Sequence, residues 1–84
     1  MKELTSLKNI GPEVAKQLIA VEIHNLEELK AEGAKGAWLK IKAIDDSACI
    51  HRLYSFQGAI YGIPKKELSI EEKEELKQFY NMNK

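Results

Sequence analysis

The stretch Leu7-Lys8-Asn9-Ile10-Gly11-Pro12-Glu13-Val14-Ala15-Lys16-Gln17-Leu18 constrains this chain more than any other. Asn9 and Gly11 are two turn-capable residues on either side of one apolar residue, Ile10. Asn tolerates the left-handed conformation better than most residues, and Gly adopts it without steric cost. Pro12 follows where a helix can begin, because the first helical N–H has no partner in any case. The stretch therefore predicts the end of one short helix, a tight turn and the start of a second helix.

Helical spacing extends this reading along the chain. Residues 3–8 are expected to form a short first helix with Leu4 and Leu7 inward. Val14, Ala15, Leu18, Ile19 and Val21 form one apolar stripe, giving a second helix over Pro12–Val21. Asn25 and Glu28 stand at capping-box spacing before Leu26 and Leu29, so a third helix begins there and Gly33 is expected to end it. Ala34, Ala37, Trp38 and Ile41 share a face of a fourth helix over Ala34–Ala43. Gly36 weakens that helix by about 1 kcal/mol relative to Ala. Asp45-Asp46-Ser47 reads as a turn and cap cluster. Cys49, Leu53, Phe56 and Ile60 then make the central stripe of a long helix ended by Gly62, Ile63 and Pro64. Ser69 and Glu72 have capping-box spacing and open a last helix to about Tyr80. No stretch alternates with period two for long enough to be a strand. The expected fold is all-α, a compact bundle of five to six short helices in one domain over residues 1–84. Its core lies at about residues 4–62 and its C-terminal helix at about 69–80.

Charge limits the functional classes. The 13 basic residues balance 13 acids, for a net charge of zero. A strongly electrostatic nucleic-acid binder carries a basic excess, so nucleic-acid contact would need a local patch. No apolar run reaches membrane-spanning length, and Met1-Lys2-Glu3-Leu4 offers no signal-peptide core. Cys49 is the one cysteine, which suits a reducing compartment. The expected location is the cytoplasm.

Catalytic sets, metal ligands and cofactor motifs are not expected. His24, His51 and Cys49 share no ligand spacing. Cys49 falls on the apolar stripe and reads as a buried, inert thiol. Trp38 reads as core packing, Asp45 and Asp46 as capping, and Glu71–Glu75 as a solvated face. No small-molecule substrate or membrane partner is expected.

The pattern Leu7, Ile10, Gly11, Ala15, Leu18 resembles a helix-hairpin-helix motif, in which turn N–H groups cradle a DNA phosphate. A helix N-terminus suits an anion. Gly11, Glu13 and Val14 could offer N–H groups, while Pro12 cannot. Asn9 belongs to the same turn, and Lys8 and Lys16 could add charge. The same residues also fit a plain helical hairpin, and the Glu13 carboxylate would oppose phosphate. Beyond the turn, Asn9-Ile10-Gly11-Pro12, Gly33-Ala34 with Ala37-Trp38-Leu39, and Leu53-Tyr54 with Gly58-Ala59-Ile60-Tyr61-Gly62 resemble the C-terminal domain of TfoX-type competence regulators. That resemblance covers about Leu4 to Gly62. It implies a helical domain of the helix-hairpin-helix or SAM-like kind, with a role in transcription regulation and competence. The 84 residues match that C-terminal domain alone, so the expectation concerns the module. Glu22 stands before Ile23 where that pattern has Gly, a strained choice if left-handed φ is required.

Two functional expectations follow. One is a non-catalytic module with weak, sequence-independent DNA-backbone contact through Lys8, Asn9, Gly11, Glu13, Val14 and Lys16, with Lys35, Lys40 and Lys42 as a second patch. The other is a protein partner or homodimer without DNA contact, docking on the small-residue face Ser55, Gly58, Ala59 and Gly62.

Overall fold

The computed structural model describes residues 4–84. It is helical, with no β-strand among the described residues. Four α-helices replace the expected five to six: α1 Pro12–Ala20, α2 Leu26–Ile44, α3 Ile50–Tyr61 and α4 Ile70–Asn83. Two 3-10 turns, Leu4–Ser6 and Lys65–Glu67, supplement them. No helix among the described residues is long and apolar enough to cross a membrane.

The first predicted helix is only a 3-10 turn among these residues; Glu3 lies outside them. Leu7 N–H donates to Leu4 O at 3.0 Å. Asn9 then takes a left-handed φ of 71°, which ends the segment before an α-helical turn can propagate. Gly11 is the extended N-cap of α1, with φ −91°. The left-handed residue of this turn is therefore Asn9 and not Gly11.

Helix α1 ends in a Schellman arrangement. Ile23 N–H donates to Leu18 O at 2.8 Å and Glu22 N–H to Ile19 O at 3.0 Å. The residue that turns the chain there is Glu22, at φ 67°. Gly62 plays the same part after α3, at φ 76°, with Ile63 N–H bound to Gly58 O at 3.0 Å. The first of these corners uses a residue with a Cβ where the second uses glycine.

The third and fourth predicted helices are one element, α2, broken within by Gly33 at φ 81° and ψ 158°. The backbone leaves the helical region at Gly33, where a helix end is expected, and α2 is kinked there. Asn25 caps α2 by accepting from Glu28 N–H at 2.9 Å. Glu28 reaches back to His24 N–H at 2.6 Å, one residue earlier than a standard capping box. Ser69 caps α4 by accepting from Glu72 N–H at 3.1 Å.

The core is built where helices α2 and α3 meet, with α4 across them and α1 beside α2. Leu18, Leu29, Ala37, Trp38, Ile41, Leu53 and Phe56 are fully buried. Trp38 lies at the junction. Its indole N–H donates to Cys49 O at 3.1 Å, and Phe79 and Tyr80 of α4 meet its ring edge-on at 6.1 Å and 5.5 Å. Two stripe assignments need correction. Cys49 is exposed, because it is the N-cap of α3 and not a residue within it. Ile19 is exposed near the end of α1, where the packed face has rotated away.

Candidate nucleic-acid interface

The turn at Asn9 has an internal use. The Asn9 side-chain amide donates to Ile63 O at 3.0 Å and, more distantly, to Ser55 O at 3.5 Å. Its oxygen accepts from Lys65 N–H at 3.2 Å. One carboxamide thus joins the N-terminal turn to the end of α3 and the segment after it. Gly58 makes this approach possible. A Cβ there would lie 2.6 Å from Asn9 Nδ2 and 2.8 Å from Ile63 O, too close for either to remain. The small-residue face predicted as a docking surface is consequently occupied from within the chain. Ser55, Gly58 and Ala59 are buried, and only Gly62 of the four is exposed.

What remains for an anion at the hairpin is modest. Gly11, Pro12 and Glu13 are exposed and Val14 is half-buried. Glu13 and Val14 have first-turn N–H groups that lack intrahelical partners. Pro12 contributes none, and the Glu13 carboxylate already supplies negative charge to the helix end.

The lysines divide into two sets. Lys35 pairs with Glu75 at 2.9 Å and lies 5.6 Å above the Phe79 ring. Lys40 pairs with Glu32 at 2.9 Å, and Lys42 with Asp46 at 3.2 Å. The predicted second patch is therefore locally neutralised. Lys8, Lys16, Lys65, Lys66 and Lys73 have no carboxylate within ion-pair distance among the described residues.

Part of this unpaired set is brought together by the Asn9 bracket. A groove of about 260 Å³ runs past Asn9, Val14, Cys49, His51, Arg52, Ser55 and Lys65. Beside it, sharing His51 and Lys65, a second groove of about 240 Å³ is lined by His51, Tyr54, Lys65, Lys66 and Lys73. The rings of His51 and Tyr54 meet edge-on at 6.2 Å. Lys73 Nζ donates to Lys66 O at 3.2 Å, which holds the turn and α4 together here. Sequence reading passed over this cluster. Its available signal was the adjacent pair Lys65-Lys66 directly after Pro64.

The chain's other polar cluster serves the fold. Asp45 accepts from Ser47 Oγ at 2.5 Å, from Ser47 N–H at 3.0 Å and from Gln17 at 2.7 Å. Arg52 donates to Gln17 and lies 3.5 Å from Asp45. The Ser47 hydroxyl, then Gln17 and the Ser47 N–H, with Arg52 adding charge, hold the Asp45 carboxyl well below the usual carboxylate range. A cleft of about 480 Å³ lies between the α2 break, α3 and α4. Tyr61 there donates to Glu72 at 2.5 Å and Lys35 to Glu75, so its charged groups are largely engaged with one another.

Sequence comparison places this architecture. The TfoX C-terminal domain profile matches residues 1–80. The chain belongs to the TfoX C-terminal domain family. The match includes most of α4, beyond the Leu4–Gly62 span on which the resemblance was read. Two crystal structures from Listeria monocytogenes are similar. One is an uncharacterized protein in a triclinic form, 38% identical, with a TM-score of 0.95 over 96% of this chain and 92% of that one. The other, a protein of unknown function in a tetragonal form, is also 38% identical, with a TM-score of 0.93 over 96% of this chain and all of that one. No functionally curated protein matches the chain. In this TfoX C-terminal domain Lys35, Lys40 and Lys42 of α2 are neutralised, while Lys30 of the same helix, Lys77 of α4 and Lys8, Lys16, Lys65, Lys66 and Lys73 have no carboxylate within ion-pair distance among the described residues.

Proposed function

We propose that this domain is a non-catalytic binding module that contacts nucleic acid through backbone phosphates, in the setting of transcription regulation that its TfoX membership suggests. The observation that carries this reading is the sorting of cations. Lys35, Lys40 and Lys42 face carboxylates, whereas Lys8, Lys16, Lys65 and Lys66 face none among the described residues. Asn9 ties its own turn, next to Lys8, to the backbone of Lys65. Lys8 lines one groove with Lys30, and Lys65, Lys66 and Lys73 line another, which supports local basic patches on an electrically neutral molecule. Contact of this kind is weak, indifferent to sequence and sensitive to salt, because its free energy comes from counterion release.

The test is a titration of labelled DNA at about 50 mM salt and again at about 200 mM. Binding is expected at the lower salt and should weaken strongly at the higher. Lys8→Glu with Lys65→Glu should reduce affinity about tenfold or more. Lys35→Glu with Lys40→Glu should do less, since those lysines already serve acids. Absence of binding, or binding indifferent to salt and to both charge reversals, rejects the proposal.

A further inference from the structure

We infer that the groove between the start of α3 and the Lys65–Lys73 side takes a single-stranded nucleic-acid segment. The inference rests on the backbone-binding reading above and names its substrate class. Three features carry it. The groove brings together Lys65, Lys66 and Lys73 from two separate elements. None of the three is paired with a carboxylate among the described residues. Its walls are mainly carbon, from the Tyr54 ring and the lysine stems, and exposed His51 stands at its edge.

Each feature discriminates between partners. Duplex DNA presents phosphates on a convex surface, and charge alone is enough to hold it. A groove with apolar walls and an accessible ring adds nothing to that contact. A single strand presents phosphates on one side and free base faces on the other, which suits cations beside an aromatic platform. Lysine stems can cover the face of a base while their ammonium groups reach phosphate. The groove also continues past Lys65 and His51 toward Arg52 and the first turn of α1. A strand can therefore follow a track longer than one nucleotide. Acids also stand on this face: Glu67 in the same turn, Glu74 on α4, whose charge reaches Tyr54, and Asp45, which lies 3.5 Å from Arg52. They limit affinity and leave the lysines unpaired.

The experiment is fluorescence anisotropy with a labelled oligonucleotide of about 15 nucleotides, as single strand and as duplex, at about 50 mM salt. The intact chain is used, and circular dichroism verifies that each variant folds. The single strand should bind more tightly than the duplex. Lys65→Glu with Lys66→Glu should weaken single-strand binding about tenfold or more. His51→Ala, at an exposed position, should weaken the single strand about fivefold and leave the duplex unchanged. Equal binding of both forms with a silent His51→Ala overturns the single-strand inference and leaves the backbone reading in place. Loss of binding in Lys8→Glu with Lys16→Glu, but not in Lys65→Glu with Lys66→Glu, moves the contact to the hairpin and also overturns it. No binding of either form by the unaltered protein rejects both proposals.

Discussion

Gly58 and Glu22 have opposite relations to the backbone around them. Gly58 has ordinary helical geometry but no space for a side chain, since Asn9 Nδ2 and Ile63 O crowd the Cβ position. Glu22 has space, being exposed, but occupies a left-handed conformation that a Cβ disfavours. Gly58→Ala should therefore destabilise the domain by about 1–3 kcal/mol through forced displacement of the Asn9 bracket. Glu22→Gly should stabilise it by about 1 kcal/mol by removing left-handed strain, less whatever the weak contact to His24 at 3.4 Å contributes. Denaturant unfolding midpoints of the two variants should move in opposite directions. If Gly58→Ala were neutral, the bracket would not require a bare backbone at 58.

Among the elements, the Asp45 cluster joins α1, the end of α2 and the first turn of α3 through Gln17, Asp45 and Arg52. The Asp45 carboxyl is held low in the folded state, so ionised Asp45 favours folding above its unfolded value of about 3.9. That contribution is lost as pH falls below this value toward the depressed folded one. Glu28, held low by the His24 N–H, acts in the same direction. The thermal midpoint should stay level from about pH 7 to pH 5 and fall below about pH 4. Asp45→Asn should reduce the acid slope, as measured by circular dichroism melts; an unchanged slope would assign it to other groups. Helix identities were largely legible in the sequence because buried residues recur at helical spacing, as with Ala34, Ala37, Trp38 and Ile41. The exceptions, Ile19 and Cys49, sit near helix ends, where spacing no longer specifies which face is packed. The break at Gly33 was legible as glycine, and α2 is kinked there.

Across the whole molecule, local patterns carried less of the candidate site than of the fold. Asn9 meets its partners 46 to 56 residues away, and Lys35 finds Glu75 across 40. Charge counting therefore could not separate neutralised lysines from unpaired ones, and the hairpin residues looked more available than the Asn9 bracket leaves them. The same long-range closure makes one residue a witness to the entire assembly. Trp38 is the only tryptophan, and α2, the start of α3 and the end of α4 all meet on its indole. Its emission should be blue-shifted in the native protein and move red when those helices part. Followed through denaturant, that colour change should coincide with the loss of far-ultraviolet helical signal, as in a single cooperative transition. An earlier red shift would mean that α4 releases first. The buried indole is thus a built-in optical gauge of whether the domain melts as one body.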